Sequence, residues 1–133
     1  MELVRLQKQI LLLEKANKTL EKVFIEGVEL NDLEKDGVIQ RFEYNIELVH
    51  KTLKKVLEYF KVNFMASPRE IIRESFKLWF IDNLELWEEF LDIRNQMSHI
   101  YSEYYSQDNF EFIKLHHKKI FELIEKLKSK FEV

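Results

Sequence analysis

Residues 2–24 read Glu-Leu-Val-Arg-Leu-Gln-Lys-Gln-Ile-Leu-Leu-Leu-Glu-Lys-Ala-Asn-Lys-Thr-Leu-Glu-Lys-Val-Phe. Leu3, Leu6, Ile10, Leu13, Asn17, Leu20 and Phe24 recur at alternating steps of three and four, which is the period of one helical face with a single polar interruption. Leu11, Leu12 and Val23 widen that face beyond a two-stranded seam, so the pattern predicts a helix over about residues 2–26 packed inside a bundle. Gly27 is the expected stop, and Asn31-Asp32 the expected restart.

The same period continues down the chain. Val38, Phe42, Ile46, Val49, Leu53, Val56, Leu57, Phe60 and Phe64 predict a second helix over about residues 33–63, with Gly37 in its first turns. Its outer face carries Lys51, Lys54, Lys55 and Lys61, which reads as a solvated face or as a phosphate-facing patch. Ser67-Pro68-Arg69-Glu70 combines a capping serine, a proline suited to the first helical position and a glutamate placed for a capping box. A third, shorter helix follows, with Ile71, Ile72, Ser75, Phe76, Trp79 and Phe80 along its apolar side. After Asp82-Asn83, with Asp82 and Glu85 as a cap pattern, a fourth helix over about 84–101 packs through Leu84, Trp87, Phe90, Leu91 and Met97. Ser102 to Gln107 reads as a loop with Ser106 as the next cap. Phe110, Ile113, His117, Ile120, Ile124, Leu127 and Phe131 then predict a last helix ending near residue 131.

The expected fold is therefore all-α, an up-and-down antiparallel bundle of about five helices, four long and one shorter, in a single domain over residues 1–133. Composition agrees: two glycines and one proline leave little turn chemistry for a many-stranded sheet. Hydrophobic content of 46% beside 34% charged residues describes a folded chain, not a disordered one. The N-terminus is too charged for a signal peptide, no apolar run approaches membrane-spanning length, and a cytoplasmic location is expected. Without cysteine there is no disulfide, thiolate metal site or cysteine nucleophile. A net charge of −3 argues against a protein that coats DNA or RNA broadly, while leaving room for a local basic pocket.

The histidines, His50, His99, His116 and His117, form no HExxH or HxxxH pair, and His117 falls on the core seam of the last helix. Gly27 and Gly37 stand alone, so no phosphate-cradling loop is present and the chain is not itself a nucleotidyltransferase. What remains is Arg94-Asn95-Gln96-Met97-Ser98-His99-Ile100-Tyr101, which places a cation, an amide, an imidazole and a phenol within two helical turns. On an ideal helix Arg94, Met97 and Tyr101 share one stripe and Asn95 and His99 an adjacent one, leaving Arg94 and His99 roughly 140° apart. They meet on one small ligand only if the helix distorts or a second copy completes the site. One reading is structural: Arg94 pairs with Asp92 or Glu89, His99 caps the helix end and Tyr101 packs. The other is metal-free RNA cleavage. An imidazole can move the ribose 2′-OH proton or protonate the leaving 5′-oxygen, and a guanidinium can hold the phosphate while charge grows on it.

Arg94-Asn95-x-x-x-His99 also resembles the R-x4-6-H signature of HEPN domains, and with Tyr101 it resembles the R-x4-H-x-Y form of HEPN toxins paired with a minimal nucleotidyltransferase (MNT) antitoxin. The segments 67–74 and 86–95 are similar to the branch called nucleotidyltransferase substrate-binding proteins. The resemblance implies a metal-independent ribonuclease toxin of a type VII-like toxin–antitoxin system, with Arg94 and His99 catalytic and Asn95 supporting. Its site would form where two protomers meet through the helix carrying the motif. It implies Tyr101 as the residue to which the MNT partner transfers AMP, with ATP and Mg²⁺ belonging to that partner and no cofactor held by this chain. The overall acidity gives little general RNA affinity, so the expected substrate is a particular structured RNA such as tRNA. The alternative is a non-catalytic substrate-binding or regulatory subunit of a two-component nucleotidyltransferase.

Overall fold

The computed structural model describes residues 1–24, 27–97 and 103–133, together with their side chains except those of residues 96–97 and 103–106. Among the described residues the regular elements are all helices: α1 (Glu2–Glu21), α2 (Asp32–Tyr59), α3 (Pro68–Lys77), α4 (Leu84–Met97), α5 (Glu103–His116) and α6 (Lys118–Phe131). The expected all-α bundle is what is found.

The first seam buries over its central part, while Leu3 at its start is exposed and Phe24 at its end is partly buried. Leu6, Ile10, Leu13, Asn17 and Leu20 are buried, whereas Leu11 and Leu12 are about half exposed, so the apolar face is narrower than the widened stripe suggested. α1 stops at Glu21, five residues before the expected end, because its last turn tightens: Val23 N–H bonds to Leu20 O and Phe24 N–H to Glu21 O. Gly27 then turns the chain with a left-handed φ of 81°.

α2 begins with a complete capping box: Asn31 Oδ1 accepts from Glu34 N–H at 2.8 Å, and Glu34 Oε1 accepts from Asn31 N–H at 2.9 Å. Its expected end near residue 63 is corrected to Tyr59. There Lys61 takes a left-handed φ of 60° and Val62 N–H closes onto Leu57 O, a Schellman stop made without glycine. At α3 the capping box is only half made. Ser67 Oγ accepts from Glu70 N–H, but the Glu70 carboxylate turns to Arg73 at 3.0 Å. Before α4 the cap is Asn83, whose Oδ1 accepts from Leu86 N–H, while Asp82 pairs with Lys119. The loop expected over 102–107 is also corrected, since α5 is already helical from Glu103, where neither glycine nor proline interrupts it. The last predicted helix is broken only at His117, whose backbone stays right-handed helical (φ −57°, ψ −28°), so α5 and α6 continue one another.

Cross-helix pairs fix the topology. Glu2 meets Lys61 and Thr19 meets Arg41, so α1 and α2 are antiparallel; Gln7 meets Phe131 and Glu21 meets His117, so α1 and α6 are too. Arg69 and Arg73 on α3 meet Asp92 and Glu88 on α4 in the opposite sense. α2 is central, packing against α1, α3, α4 and α5. At the α1–α2 seam Asn17 donates to Asn45 Oδ1, and Asn45 donates in turn to Arg41 O and Ala16 O, so this buried polar pair is satisfied internally. On α3, Ile71, Ile72 and Ser75 are buried, but Trp79 is 86% exposed and leaves the expected apolar side because it sits beyond the helix in a left-handed turn.

Candidate functional site

α4 is seated by aromatic packing. Phe90 is fully buried between Phe42 of α2, 5.4 Å away edge to face, and Trp87, 5.0 Å away. Arg94 lies one turn after Phe90 on the same face, so the contact that locks Phe90 carries Arg94 over the next turn of α2. There the Arg94 guanidinium donates to Glu47 Oε1 at 3.0 Å, with the arginine side chain 33% exposed and the glutamate 46%.

This partner is not one of those expected from the local sequence. Asp92 and Glu88 are both taken by Arg69, at 2.6 Å each, and those two hydrogen bonds raise the already high pKa of Arg69. Residues two apart on a helix face away from one another, so Asp92 is poorly placed for Arg94 and well placed for α3. Glu89 lies on the opposite side of α4, where Glu85, Glu88, Glu89 and Asp92, with Arg69 among them, line an open groove. α4 therefore shows two electrostatic faces, a carboxylate-lined one toward α3 and a cationic one toward α2.

The cationic face borders a cavity of about 210 Å³ lined by Ile46, Glu47, His50, Lys51, Pro68, Leu91 and Arg94. That volume is below the roughly 300–1,000 Å³ of pockets that enclose a drug-sized ligand, and it suits a single small anionic group. His50 Nδ1 is buried with no hydrogen-bond partner among the described residues. Burial, then the charges of Arg94, Lys54 and Lys51, push the His50 imidazole below its ordinary pKa, so it is neutral near pH 7. Glu43, one turn before Glu47, is pushed up by burial, an effect that Arg94 opposes and Glu47 reinforces.

Of the site residues expected from sequence, Arg94 is thus half-buried at this cavity and Asn95 is exposed on the next position of α4. His99 and Tyr101 lie outside the described residues, as does the side chain of Met97. Their geometry relative to Arg94 is therefore an expectation of the sequence alone. His117 is buried, hydrogen-bonded through Nδ1 to Glu21 at 2.7 Å and stacked on Phe24 at 4.2 Å, the satisfied core histidine its seam position implies. His116 packs on Phe112. Among the described residues no group of three or more His, Asp or Glu side chains could hold a metal ion, and no helix is long and apolar enough to cross a membrane.

Sequence reasoning missed Glu47 and His50. Their signal was present. Glu43, Glu47, His50 and Lys54 recur at steps of four, three and four, each one position beyond the core residues Phe42, Ile46, Val49 and Leu53, so a polar stripe runs beside the apolar one. What the spacing could not supply was the neighbour that this stripe faces.

Comparison with known proteins follows the same lines. Residues 3–129 match the family described as nucleotidyltransferase substrate binding protein like. A Haemophilus influenzae protein described as Probable ribonuclease HepT is 31% identical over 71 residues, covering 50% of this chain and 49% of that protein, so the match spans about half the length of this relative. The crystal structure of a Thermus thermophilus protein superposes with a TM-score of 0.78 at 27% identity, covering 87% of this chain and 98% of that one. The chain belongs to the nucleotidyltransferase substrate-binding protein-like family, the HEPN-type family that residues 94–101 resemble.

Proposed function

We propose that this chain is a metal-independent HEPN-type endoribonuclease toxin that acts in the cytoplasm and is silenced when an MNT nucleotidyltransferase partner attaches AMP to Tyr101. The observation that carries the reading is the setting of Arg94: a half-buried guanidinium at the edge of a small cationic cavity, paired among the described residues with a displaceable carboxylate from another helix. In the proposed reaction His99 takes the ribose 2′-OH proton as the 2′-oxygen attacks phosphorus. The P–O5′ bond breaks, a 2′,3′-cyclic phosphate forms, and the 5′-oxygen leaves as a hydroxyl after taking a proton from water, to which the His99 imidazolium later returns its own. Arg94 stabilises the charge that builds on the phosphoryl oxygens, and Asn95 supports His99 or the RNA backbone. Two protomers meeting along α4 would bring Arg94 of one copy to His99 of the other, which answers their roughly 140° separation on one helix. In the silencing step the Tyr101 phenol oxygen attacks the α-phosphorus of ATP on the Mg²⁺-dependent partner and expels pyrophosphate. The added phosphate then competes with RNA for Arg94.

The support is the R-x4-H-x-Y spacing, the ribonuclease description carried by the Haemophilus relative and the cavity beside Arg94. The test is RNA cleavage, with tRNA among the substrates, by protein made without its partner. Wild type should cleave, and Arg94→Ala and His99→Ala should not; equal activity in all three sinks the proposal. Intact mass after incubation with partner and ATP should show AMP on wild type and none on Tyr101→Phe.

A second reading, a non-catalytic subunit that presents or regulates the transferase, draws on the carboxylate-lined groove of α4 and the net charge of −3. A stable complex that leaves Tyr101 unmodified, with no RNA cleavage by the free chain, would favour it.

A further inference from the structure

Four features converge on the cavity between α2, α4 and the start of α3. Arg94 brings a full positive charge to its rim, and Lys51 brings a second from α2. Pro68, the first residue of α3, borders it, so the start of that helix closes one side of the same space. His50 lines it too, and its buried Nδ1 has no hydrogen-bond partner among the described residues. The fourth feature is Glu47, whose carboxylate already sits on Arg94 at 3.0 Å, the position and charge that a bound oxyanion would take.

We propose that this cavity is a phosphodiester subsite in which a backbone phosphate of RNA replaces the Glu47 carboxylate on Arg94 and accepts a hydrogen bond from His50. The inference rests on the ribonuclease reading for the identity of the ligand, but the binding it describes needs no cleavage. Glu47 is a latch, pairing with Arg94 in the free protein and swinging toward solvent when substrate arrives. Its side chain is 46% exposed, so water can solvate it after release. His50 is a positioning residue with a charge that follows occupancy. In the free protein burial and the cations Arg94, Lys54 and Lys51 hold it neutral, Glu47 being engaged with Arg94 and the α3 contribution, Pro68, carrying no charge. A phosphate beside it reverses the local field, so the imidazole takes up a proton and the hydrogen bond becomes charge-assisted. Lys51, exposed at the rim, adds attraction that salt screens.

The experiment is an NMR titration of the His50 imidazole in the full chain. It is run alone, with dithymidine monophosphate, and with thymidine; the first probe carries a phosphodiester but no 2′-OH, and the second carries no phosphate. The expected result is a His50 pKa below 6.5 in the free protein that rises with dithymidine monophosphate and stays put with thymidine. Glu47→Gln should bind the phosphodiester about three- to tenfold more tightly by removing the competing charge, and His50→Gln about three- to tenfold more weakly, with both variants folded by circular dichroism. A His50 that responds equally to thymidine, or a Glu47→Gln variant that binds no more tightly than wild type, overturns the proposal. Failure of the ribonuclease reading looks different: no RNA is cleaved while the phosphate-dependent shift of His50 persists.

Discussion

Arg94 on α4 reaches Glu47 on α2 at 3.0 Å, while Asp92, two residues before it, is held by Arg69 from α3 at 2.6 Å. The two arginines thus divide the carboxylates between the two faces of one helix. Arg69 clamps α3 to α4 through two carboxylates at once, which is a structural role. Arg94 holds one half-exposed carboxylate, which is a weak bond to lose.

Arg94→Ala should therefore cost little in folding. A partly exposed ion pair is worth about 0–1 kcal/mol, and solvent screening keeps it at the lower end. Removal of a group that stabilises the charge of the transition state costs on the order of a hundredfold or more in rate. Urea unfolding and RNA cleavage measured on the same preparation separate the two effects. A variant that unfolds several kcal/mol more easily, with cleavage falling only in proportion, would make Arg94 structural.

The Asn17–Asn45 pair should behave in the opposite way. Both side chains are buried, and each amide depends on the other or on nearby carbonyls of α1 and α2. Asn45→Ala strands the Asn17 amide in the core and should cost about 1–3 kcal/mol, with Asn17→Ala in the same range. Because the second change removes a group already orphaned by the first, the double variant should cost less than the sum of the singles. A strictly additive double-mutant cycle in urea would contradict the hydrogen bond between them.

His50 predicts a pH dependence whose sign follows from its depressed pKa. The unfolded chain binds the proton near the ordinary value of 6.5, whereas the folded protein resists it to lower pH. In that window the unfolded state carries more protons, so acidification through 6.5 should erode stability through this group. Glu43 works against it at lower pH. Its raised pKa means that the folded protein takes up a proton first, a gain that starts as pH falls through the folded value and is complete below 4.5. Wild type minus His50→Gln isolates the first contribution from the other histidines. That difference should fall as pH drops through 6.5, and a difference that is flat or rises would show that His50 is not held neutral by its surroundings.

Legibility in the sequence followed the physics of each signal. Apolar period reports burial directly, which is why Ile10, Leu53, Ile113 and Leu127, placed on seams by spacing alone, are fully buried. Capping is less legible, because several polar residues near a helix start compete. Asn83 rather than Asp82 caps α4, and Glu70 prefers Arg73 to its own helix start. Helix ends are not legible where the stop is made by a lysine or a tryptophan in a left-handed conformation, as at Lys61 and Trp79, since those residue types carry no stop signal. The motif residue Arg94 could be found from spacing and resemblance, but its partner could not, because the choice of Glu47 over Asp92 depends on how α4 crosses α2.

Trp79 supplies the last test of these backbone arguments. α3 ends in a Schellman motif: Phe80 N–H bonds to Ser75 O and Trp79 N–H to Phe76 O, with Trp79 at φ 68° in the position usually given to glycine. Phe80, the next residue, docks away from α3, stacking near Phe60 and Phe131 in the buried end of the bundle. An L-residue in that conformation costs roughly 1–2 kcal/mol, and the Trp79 side chain is 86% exposed, so it recovers little of this by burial. Glycine removes the strain but loses roughly 0.5–1 kcal/mol to chain entropy. Trp79→Gly should therefore raise stability by about 0.5–1 kcal/mol, while Trp79→Ala, which keeps the Cβ, should not. Urea midpoints for the two variants decide it. If glycine destabilises relative to alanine, the left-handed turn is not what limits α3, and its end must be set by the docking of Phe80 alone.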